Sequence, residues 1–156
     1  MLLDMINEFD FEKPYEIIAA RVNNVAQGLK FRAYQSRDIE FLDYRTYSGR
    51  NVYSRSLCFL LYKAALDIFP DCKVVMRRPI SKGFFCSIDK CDGNPLSARD
   101  IDLIKARMRE IVEEDIQFHR HEVQIAEAID LFRKLGHFDK VKLLESCGEV
   151  YISYYT

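Results

Sequence analysis

The sequence lacks the short motifs that usually reveal an enzyme. It contains no GxxxxGKS/T loop and no GxGxxG loop, so these residues offer no recognisable cradle for nucleotide phosphates. HExxH and GxSxG motifs are also missing, and the six glycines are isolated. The chain therefore carries no common local signature of kinase, dinucleotide, zinc-protease or serine-hydrolase chemistry.

Long apolar runs and an excess of one charge are missing too. The longest mostly apolar run, residues 57–69, contains Lys63 and Asp67 and is too short to cross a bilayer. Acidic residues at positions 4, 8 and 10 interrupt the N-terminus, which argues against a signal peptide. With 23 basic and 24 acidic residues, the chain has neither a polybasic nor an acidic tail. We expect no membrane partner.

The composition predicts a globular, cytoplasmic protein. Hydrophobic residues make up 49% of the 156 positions, which is enough to build a core. The cysteines are odd in number and irregularly spaced, with no CxxC pair, so we expect reduced thiols that serve mainly as small buried hydrophobes. They are Cys58, Cys72, Cys86, Cys91 and Cys147.

Hydrophobic periodicity and turn residues predict an α+β fold. An amphipathic helix at 1–9 precedes three short strands, and Ser48-Gly49 closes this first unit. A long, all-round apolar helix ends at Pro70, and a helix with a Ser97–Asp100 capping box follows a hairpin. The predicted strands are 17–22, 29–33, 38–44, 73–76, 84–88, 116–123 and 150–155, and the predicted helices are 1–9, 54–69, 97–114, 125–135 and 138–146. Both ends of the chain look cut, which suggests a piece of a longer polypeptide.

Two features of the sequence could carry binding chemistry. His119 and His121 would share a strand face and could begin a metal site, but no third ligand is indicated, and an exposed polar face is the simpler interpretation. Residues 44–82 carry eight basic and two acidic residues beside several aromatics. Such a segment suits RNA or a nucleotide, although it also occurs as ordinary solvated surface.

From Arg55 to about Leu144 the chain resembles the editing domain of threonyl-tRNA synthetases. The similar features include the helix ending in Phe69-Pro70, the Lys82-Gly83-Phe84-Phe85 hairpin and the Lys140-Val141 pair. Residues 1–49 resemble a truncated TGS domain, a β-grasp module, through Arg21-Val22-Asn23-Asn24. The resemblance implies a partial β-grasp unit at 1–49, followed by a C-terminally truncated editing-like α/β domain at 50–156.

The departures from the editing family lead us to expect no catalytic residue and no metal. The two histidines of the family's HxxxH pair fall on Arg55 and Phe59, and its CxxxH half-site is absent. A hairpin position that is an aromatic hydroxyl in the family falls near Cys86, and Lys140 alone matches a pocket residue. The candidate ligand-binding residues are Arg55, Phe59, Lys82, Phe85, Cys86 and Lys140.

A second resemblance supplies the main functional prediction. The stretches FDFEKPY, RSLCFLLYKA and DKVKLLES resemble the N-terminal region of a bacterial uridine kinase family. That resemblance implies a non-catalytic, regulatory region that binds a nucleotide or RNA, beside a P-loop kinase domain in cis that would use ATP and Mg²⁺. No cofactor is expected in these residues themselves. The alternatives are an aminoacyl-tRNA deacylase of a threonyl-tRNA synthetase-like protein and a structural module, for instance a homodimer.

Overall fold

The computed structural model describes residues 1–8, 15–80 and 83–156, without the side chain of Pro79. Its contacts divide the chain into two compact units, Met1–Glu113 and Glu114–Thr156. The elements of the first unit are α1 (Leu2–Glu8), β1 (Ile17–Val22), β2 (Val25–Gln27), β3 (Ile39–Asp43), α2 (Tyr47–Ile68), β4 (Lys73–Ile80), β5 (Gly83–Asp89) and α3 (Ala98–Glu113). Those of the second are β6 (Arg120–Gln124), α4 (Ile125–Lys134), α5 (Phe138–Glu145) and β7 (Tyr151–Tyr155).

The α+β class is confirmed. The strand pairs in the described ranges are all antiparallel, and they form the sheets β2-β1-β3, β4-β5 and β6-β7. Hairpins and loops, rather than parallel crossovers, therefore connect neighbouring strands, and the helices supply the other wall of each core.

A tight turn at Asn23-Asn24 shapes the first sheet. Both asparagines have positive φ angles, of 47° and 66°, which Asn tolerates better than most residues and which a two-residue hairpin requires. The chain therefore reverses at once, and β2 pairs with β1 at residues 25–27. The strand predicted at 29–33 is wrong, because this turn places the partner of β1 four residues earlier.

The first sheet and α1 enclose a small core. Its buried side chains are Leu2, Ala20, Val22 and Phe41. The backbone amide of Leu2 donates to the carbonyl of Phe31 at 3.1 Å, which ties the start of α1 to the segment after β2. The predicted N-terminal amphipathic helix is thus confirmed over 2–8, whereas residues 9–14 lie outside the described part of the chain.

Helix α2 begins at Tyr47, seven residues before its predicted start at Ser54. The Thr46 side chain accepts from the Gly49 amide at 3.0 Å and donates to the Asp43 carbonyl at 2.9 Å, so the helix starts directly from the end of β3. The N-terminal part of α2 has an exposed side, so the expectation of a helix buried all round is wrong. Within the described ranges, no helix combines the length and apolar character needed to span a membrane.

A second core lies where the C-terminal half of α2 packs on α3 and on the β4–β5 hairpin. Ala64, Ala65, Cys72, Ile104 and Ile111 are its buried members. Small residues at 64 and 65 let α3 approach α2 closely. The predicted hairpin is confirmed and longer than expected, with Met76 opposite Cys86, while Ser81 and Lys82 of its turn lie outside the described residues.

The second unit joins the β6–β7 hairpin to α4 and α5. Ala128 and Val141 are its buried residues, and the Phe132 ring meets the Tyr154 ring edge-on at 6.0 Å between centroids. Strand β6 begins at Arg120 rather than at 116, because pairing with β7 ends where Arg120 faces Tyr155. The helices and the last strand lie close to their predicted positions.

The close packing at the start of α2 predicts that Gly49→Ala strongly destabilises the fold. A Cβ at this buried glycine would lie 2.0 Å from the Asp43 carbonyl oxygen, which cannot move without opening the β3–α2 turn. We expect a loss of roughly 3 kcal/mol in the free energy of unfolding, measured by urea denaturation. Gly28→Ala is the control, because its Cβ would meet nothing within 4 Å. Equal stability of the two variants would contradict the steric argument.

The capping box of α3 predicts an acid-sensitive helix start. Asp100 accepts from the Ser97 amide at 2.9 Å, and the Asp100 amide donates to the Ser97 hydroxyl at 3.2 Å, which confirms the predicted box. The Ser97 amide, Lys90 and the Ser97 hydroxyl together lower the pKa of the Asp100 carboxyl. A carboxyl whose pKa is lower in the folded state stabilises the fold above its unfolded pKa, and this contribution disappears as the pH falls through the folded pKa.

We therefore expect the stability of the unaltered chain to fall below about pH 4 more steeply than that of Asp100→Asn. Urea denaturation at stepped pH measures the difference. Asp102→Asn, an exposed change on the same turn, should follow the unaltered chain. If the free energy of unfolding depends on pH in the same way in Asp100→Asn and in the unaltered chain, the Asp100 carboxyl does not contribute as described.

Candidate functional site

The candidate site lies at the middle of α2, where two predicted residues share one side of the helix. Arg55 and Phe59 are four residues apart, so their side chains are neighbours on the helix surface. Arg55 is exposed, and its side chain forms no hydrogen bond or ion pair with any residue in the described ranges. Phe59 is half-buried and in contact with its surroundings. The pair offers a guanidinium donor beside an apolar ring.

Cys58 is a site residue that the sequence interpretation missed. It lies three residues after Arg55, so these two side chains are neighbours on the helix surface, and that spacing was the available signal. Burial raises the pKa of the Cys58 thiol, and the nearby Cys86 thiol raises it further. The Cys86 thiol of β5 is therefore near enough to Cys58 to affect its pKa.

Phe85 points away from this group. Successive side chains of a strand lie on opposite faces, so Cys86 shares a face with Ile88, which packs on the core under α2. Phe85 lies on the other face with Ser87 and is 51% exposed. Phe85 therefore does not share a face with Cys86, and the grouping of Arg55, Phe59 and Cys86 stays a prediction.

Two lysines were also predicted as ligand-binding residues. Lys82 lies outside the described residues. Lys140 is exposed near the start of α5 in the second unit, where its amide donates to the His137 carbonyl at 3.1 Å. Neither lysine can be counted among the groups that meet at α2.

His119 and His121 make their contacts with the last residues of the second unit. His121 stacks on Tyr154 with the ring centroids 5.0 Å apart, and its Nε2 lies 2.9 Å from the Thr156 hydroxyl. The His119 amide donates to the Thr156 carbonyl at 2.9 Å. In the part of the chain that the structure describes, no three His, Cys, Asp or Glu side chains are grouped so as to hold a metal ion.

The chemistry of the group at α2 follows from its members. Arg55 can donate two parallel hydrogen bonds to a phosphate or carboxylate, or one to a carbonyl oxygen. A raised pKa keeps the Cys58 thiol neutral near pH 7, so it is a weak donor and a poor nucleophile. Arg55, Cys58, Phe59 and Cys86 include no imidazole and no carboxylate. They can bind an ester or a phosphate and stabilise negative charge, but they supply no strong base.

Most of the chain is similar to curated threonine–tRNA ligases. The enzyme of Desulforamulus reducens is 28% identical over 134 residues, which are 86% of this chain and 21% of that protein. That of Syntrophotalea carbinolica is 29% identical over 141 residues, 90% of this chain and 22% of that protein. That of Clostridioides difficile is 28% identical over 133 residues, 85% of this chain and 20% of that protein. No family model matches the sequence.

This similarity supports a threonyl-tRNA synthetase-like domain in the chain. The chain spans about a fifth of the length of the curated relatives that it matches. The prediction of an accessory region of a uridine kinase is wrong, because these relatives are threonine–tRNA ligases over most of the chain. The associated expectations of a transferase, of a kinase domain in cis and of ATP binding are not supported.

The environment of Cys58 predicts its reactivity. All five cysteines are free, but Cys91 and Cys147 are exposed and Cys72 is buried, so the expectation of small buried hydrophobes is right for Cys72 and wrong for the two exposed thiols. At pH 8, iodoacetamide should modify Cys91 and Cys147 well before Cys58, whose thiolate fraction is reduced by its raised pKa. Peptide mass spectrometry of timed samples measures the order. Modification of Cys58 as fast as Cys147 would contradict the pKa argument.

Proposed function

We propose that the chain is an aminoacyl-tRNA editing domain of a threonyl-tRNA synthetase-like protein. The observation that carries the proposal is the similarity to threonine–tRNA ligases over 85–90% of the chain. The resemblance maps the family's HxxxH pair onto Arg55 and Phe59, and their i, i+4 spacing, which puts both side chains on one side of α2, supports the proposal. The ligand class is the aminoacylated 3′ end of a tRNA.

The first residues fit the same proposal as a TGS-like unit. Helix α1 packs on the antiparallel sheet β2-β1-β3, which is the arrangement expected of a β-grasp piece without its opening hairpin. The division at residues 49 and 50 stays a prediction, as do the cytoplasmic location and a homodimer. Ser48 and Gly49 themselves lie in the first turn of α2.

The proposed reaction is hydrolysis of the ester between an amino acid and the terminal ribose. Water adds to the ester carbonyl carbon, the bond from that carbon to the ribose oxygen breaks, and the ribose oxygen takes up a proton. Free amino acid and tRNA are the products. In the proposal, the Arg55 guanidinium donates to the carbonyl oxygen as negative charge develops on it.

The substitutions at the HxxxH positions imply a slow reaction. A positioned general acid or base contributes roughly 10²–10⁴-fold to such a rate, and the residues that meet at α2 include no such base. Catalysis would then depend on positioning the ester and on the charge of Arg55. The resemblance implies Lys140 as a pocket residue, so serine release should also be lost in Lys140→Ala.

The first test is release of serine from seryl-tRNA(Thr) by the purified chain. We expect slow release above the buffer rate and a fall to the buffer rate in Arg55→Ala, because loss of one charge-stabilising donor costs roughly a hundredfold. Arg55→Lys should keep part of the rate. Arg99→Ala, which removes an exposed arginine from α3 instead, is the matched control and should retain the rate.

Two outcomes would count against the proposal. If the unaltered chain releases serine no faster than buffer does, the proposed editing function is contradicted. If Arg55→Ala and Arg99→Ala lower the rate of serine release equally, Arg55 has no specific role and the loss is a general effect of charge. Circular dichroism of each variant separates these outcomes from loss of the fold.

A further inference from the structure

Two of the free cysteines lie on neighbouring chain segments at one corner of the first unit. Cys72 directly precedes β4, and Cys91 comes two residues after the end of β5. The two strands pair antiparallel, and Lys73 opposite Asp89 is the last pair at the open end of this hairpin. Continued beyond that pair, the same register places Cys91 opposite Asp71, the residue just before Cys72. The two cysteines are therefore offset by one residue across the open end.

A direct contact shows that the two segments stay side by side beyond the strands. The Cys91 thiol donates to the Asp71 carbonyl oxygen, with the sulfur 2.8 Å from that oxygen. Because the peptide bond joins this carbonyl to the Cys72 nitrogen, the Cys91 sulfur lies within about 6 Å of the Cys72 Cα. The Cys91 side chain thus points across the gap, at the backbone that carries the other thiol.

The separation expected for this register suits a disulfide. Adjacent strands lie about 4.8 Å apart, and an offset of one residue adds about 3.3 Å along the strand. The Cα atoms of Cys72 and Cys91 are therefore expected about 6 Å apart, which is within the range that disulfides span. Both cysteines lie outside the strands, so the strict alternation of side chains between two faces does not apply to them.

Contacts on both segments hold the two backbones in place. The Cys72 amide donates to the Phe69 carbonyl at 3.0 Å. Next to Cys91, the Lys90 ammonium lies 3.1 Å from a carboxylate oxygen of Asp100 and 5.5 Å from the centre of the Phe69 ring. We therefore expect rotation of the two side chains, rather than separation of the segments, to bring the sulfurs to bonding distance.

The two thiols differ in exposure, which suits two successive steps. Cys91 is exposed, so a small oxidant can reach it, whereas Cys72 is only 9% exposed and packs in the second core. Burial is the main reason why the pKa of the Cys72 thiol is raised, and the nearby Cys91 thiol raises it further. A buried thiol with a raised pKa is a poor first target for an oxidant. Cys72 is thus kept as a thiol until its neighbour has reacted.

We propose that Cys72 and Cys91 form a redox-sensitive pair, which closes to a disulfide when a peroxide oxidises Cys91. The Cys91 sulfur first attacks a peroxide oxygen, the O–O bond breaks, and a sulfenic acid and one water form. The Cys72 sulfur then attacks the sulfenic sulfur, the S–S bond forms, the S–O bond breaks, and a second water leaves. In total, two thiols lose two hydrogen atoms and hydrogen peroxide is reduced to two waters.

The bond would staple the corner at which α2 ends, β4 begins and β5 ends. It would close a loop of about twenty residues, which restricts the unfolded chain and so stabilises the fold. The stretch of α2 from Phe59 to its last residue, Ile68, rises about 13 Å along the helix axis. The pair therefore lies away from the candidate site at the middle of α2 and does not depend on the proposed editing function.

The test is brief treatment of the reduced full chain with a small excess of hydrogen peroxide. The remaining thiols are then alkylated, and the digested chain is analysed by mass spectrometry without reductant. We expect the peptides that carry Cys72 and Cys91 to be linked to each other, and dithiothreitol should separate them. In urea denaturation without reductant, the treated chain should unfold at a higher urea concentration than the reduced chain, because the link restricts the unfolded state.

Three variants distinguish the two steps from a general effect of oxidation. Cys91→Ser should form no link and show no change in its urea midpoint after peroxide treatment. Cys147→Ser, which removes the other exposed thiol instead, is the matched control and should behave as the unaltered chain does. In Cys72→Ala, Cys91 should stop at the sulfenic acid, which dimedone traps. Circular dichroism of the reduced variants shows that each of them is folded.

Several results would overturn the inference. One is oxidation of Cys91 to the sulfinic acid in the unaltered chain without a link to Cys72. Another is a main product in which Cys91 is linked to Cys147 or to a second copy of the chain. A link between Cys72 and Cys91 that leaves the urea midpoint unchanged would contradict the stapling of this corner. Because serine release plays no part in these measurements, their outcome is separate from that of the editing assay.

Discussion

The start of helix α2 depends on one hydrogen-bonded corner. The Asp43 carbonyl at the end of β3 accepts from both the amide and the hydroxyl of Thr46, and the same hydroxyl oxygen accepts from the Gly49 amide. Only a residue without a side chain fits at position 49. This corner lets a single helix leave the first sheet directly and continue into the second core, so both cores of the first unit depend on its direction.

That direction also determines what α2 presents to solvent. Its C-terminal half is covered by α3 and by the β4–β5 hairpin, and Ala64 and Ala65 mark the contact. Its N-terminal part lies beyond this cover, so arginines and tyrosines there remain exposed. Arg55 lies between the two regions. The candidate site therefore lies where the covered part of α2 meets its exposed part.

The chemistry of the site follows from the side chains at the middle of α2. Arg55 offers a guanidinium donor, and Phe59 four residues later offers an apolar ring. Burial and the neighbouring Cys86 keep the Cys58 thiol neutral. Such a site favours binding and charge stabilisation over proton transfer, because it includes neither an imidazole nor a carboxylate.

By itself the sequence determined the α+β class, the turn at Asn23-Asn24, the capping box at Ser97 and the segment that resembles the editing domain. The first three depend on residues that are close together in the chain, and the last depends on a similarity of sequence to a known family. Tertiary structure alone decided that β2 follows the turn immediately, that α2 starts at Tyr47 and that Cys86 lies near enough to Cys58 to raise its pKa. It also placed the side chains of Phe85 and Cys86 on opposite faces of β5. These outcomes depend on which strands pair and which helix faces are covered, and neighbouring residues do not encode that information.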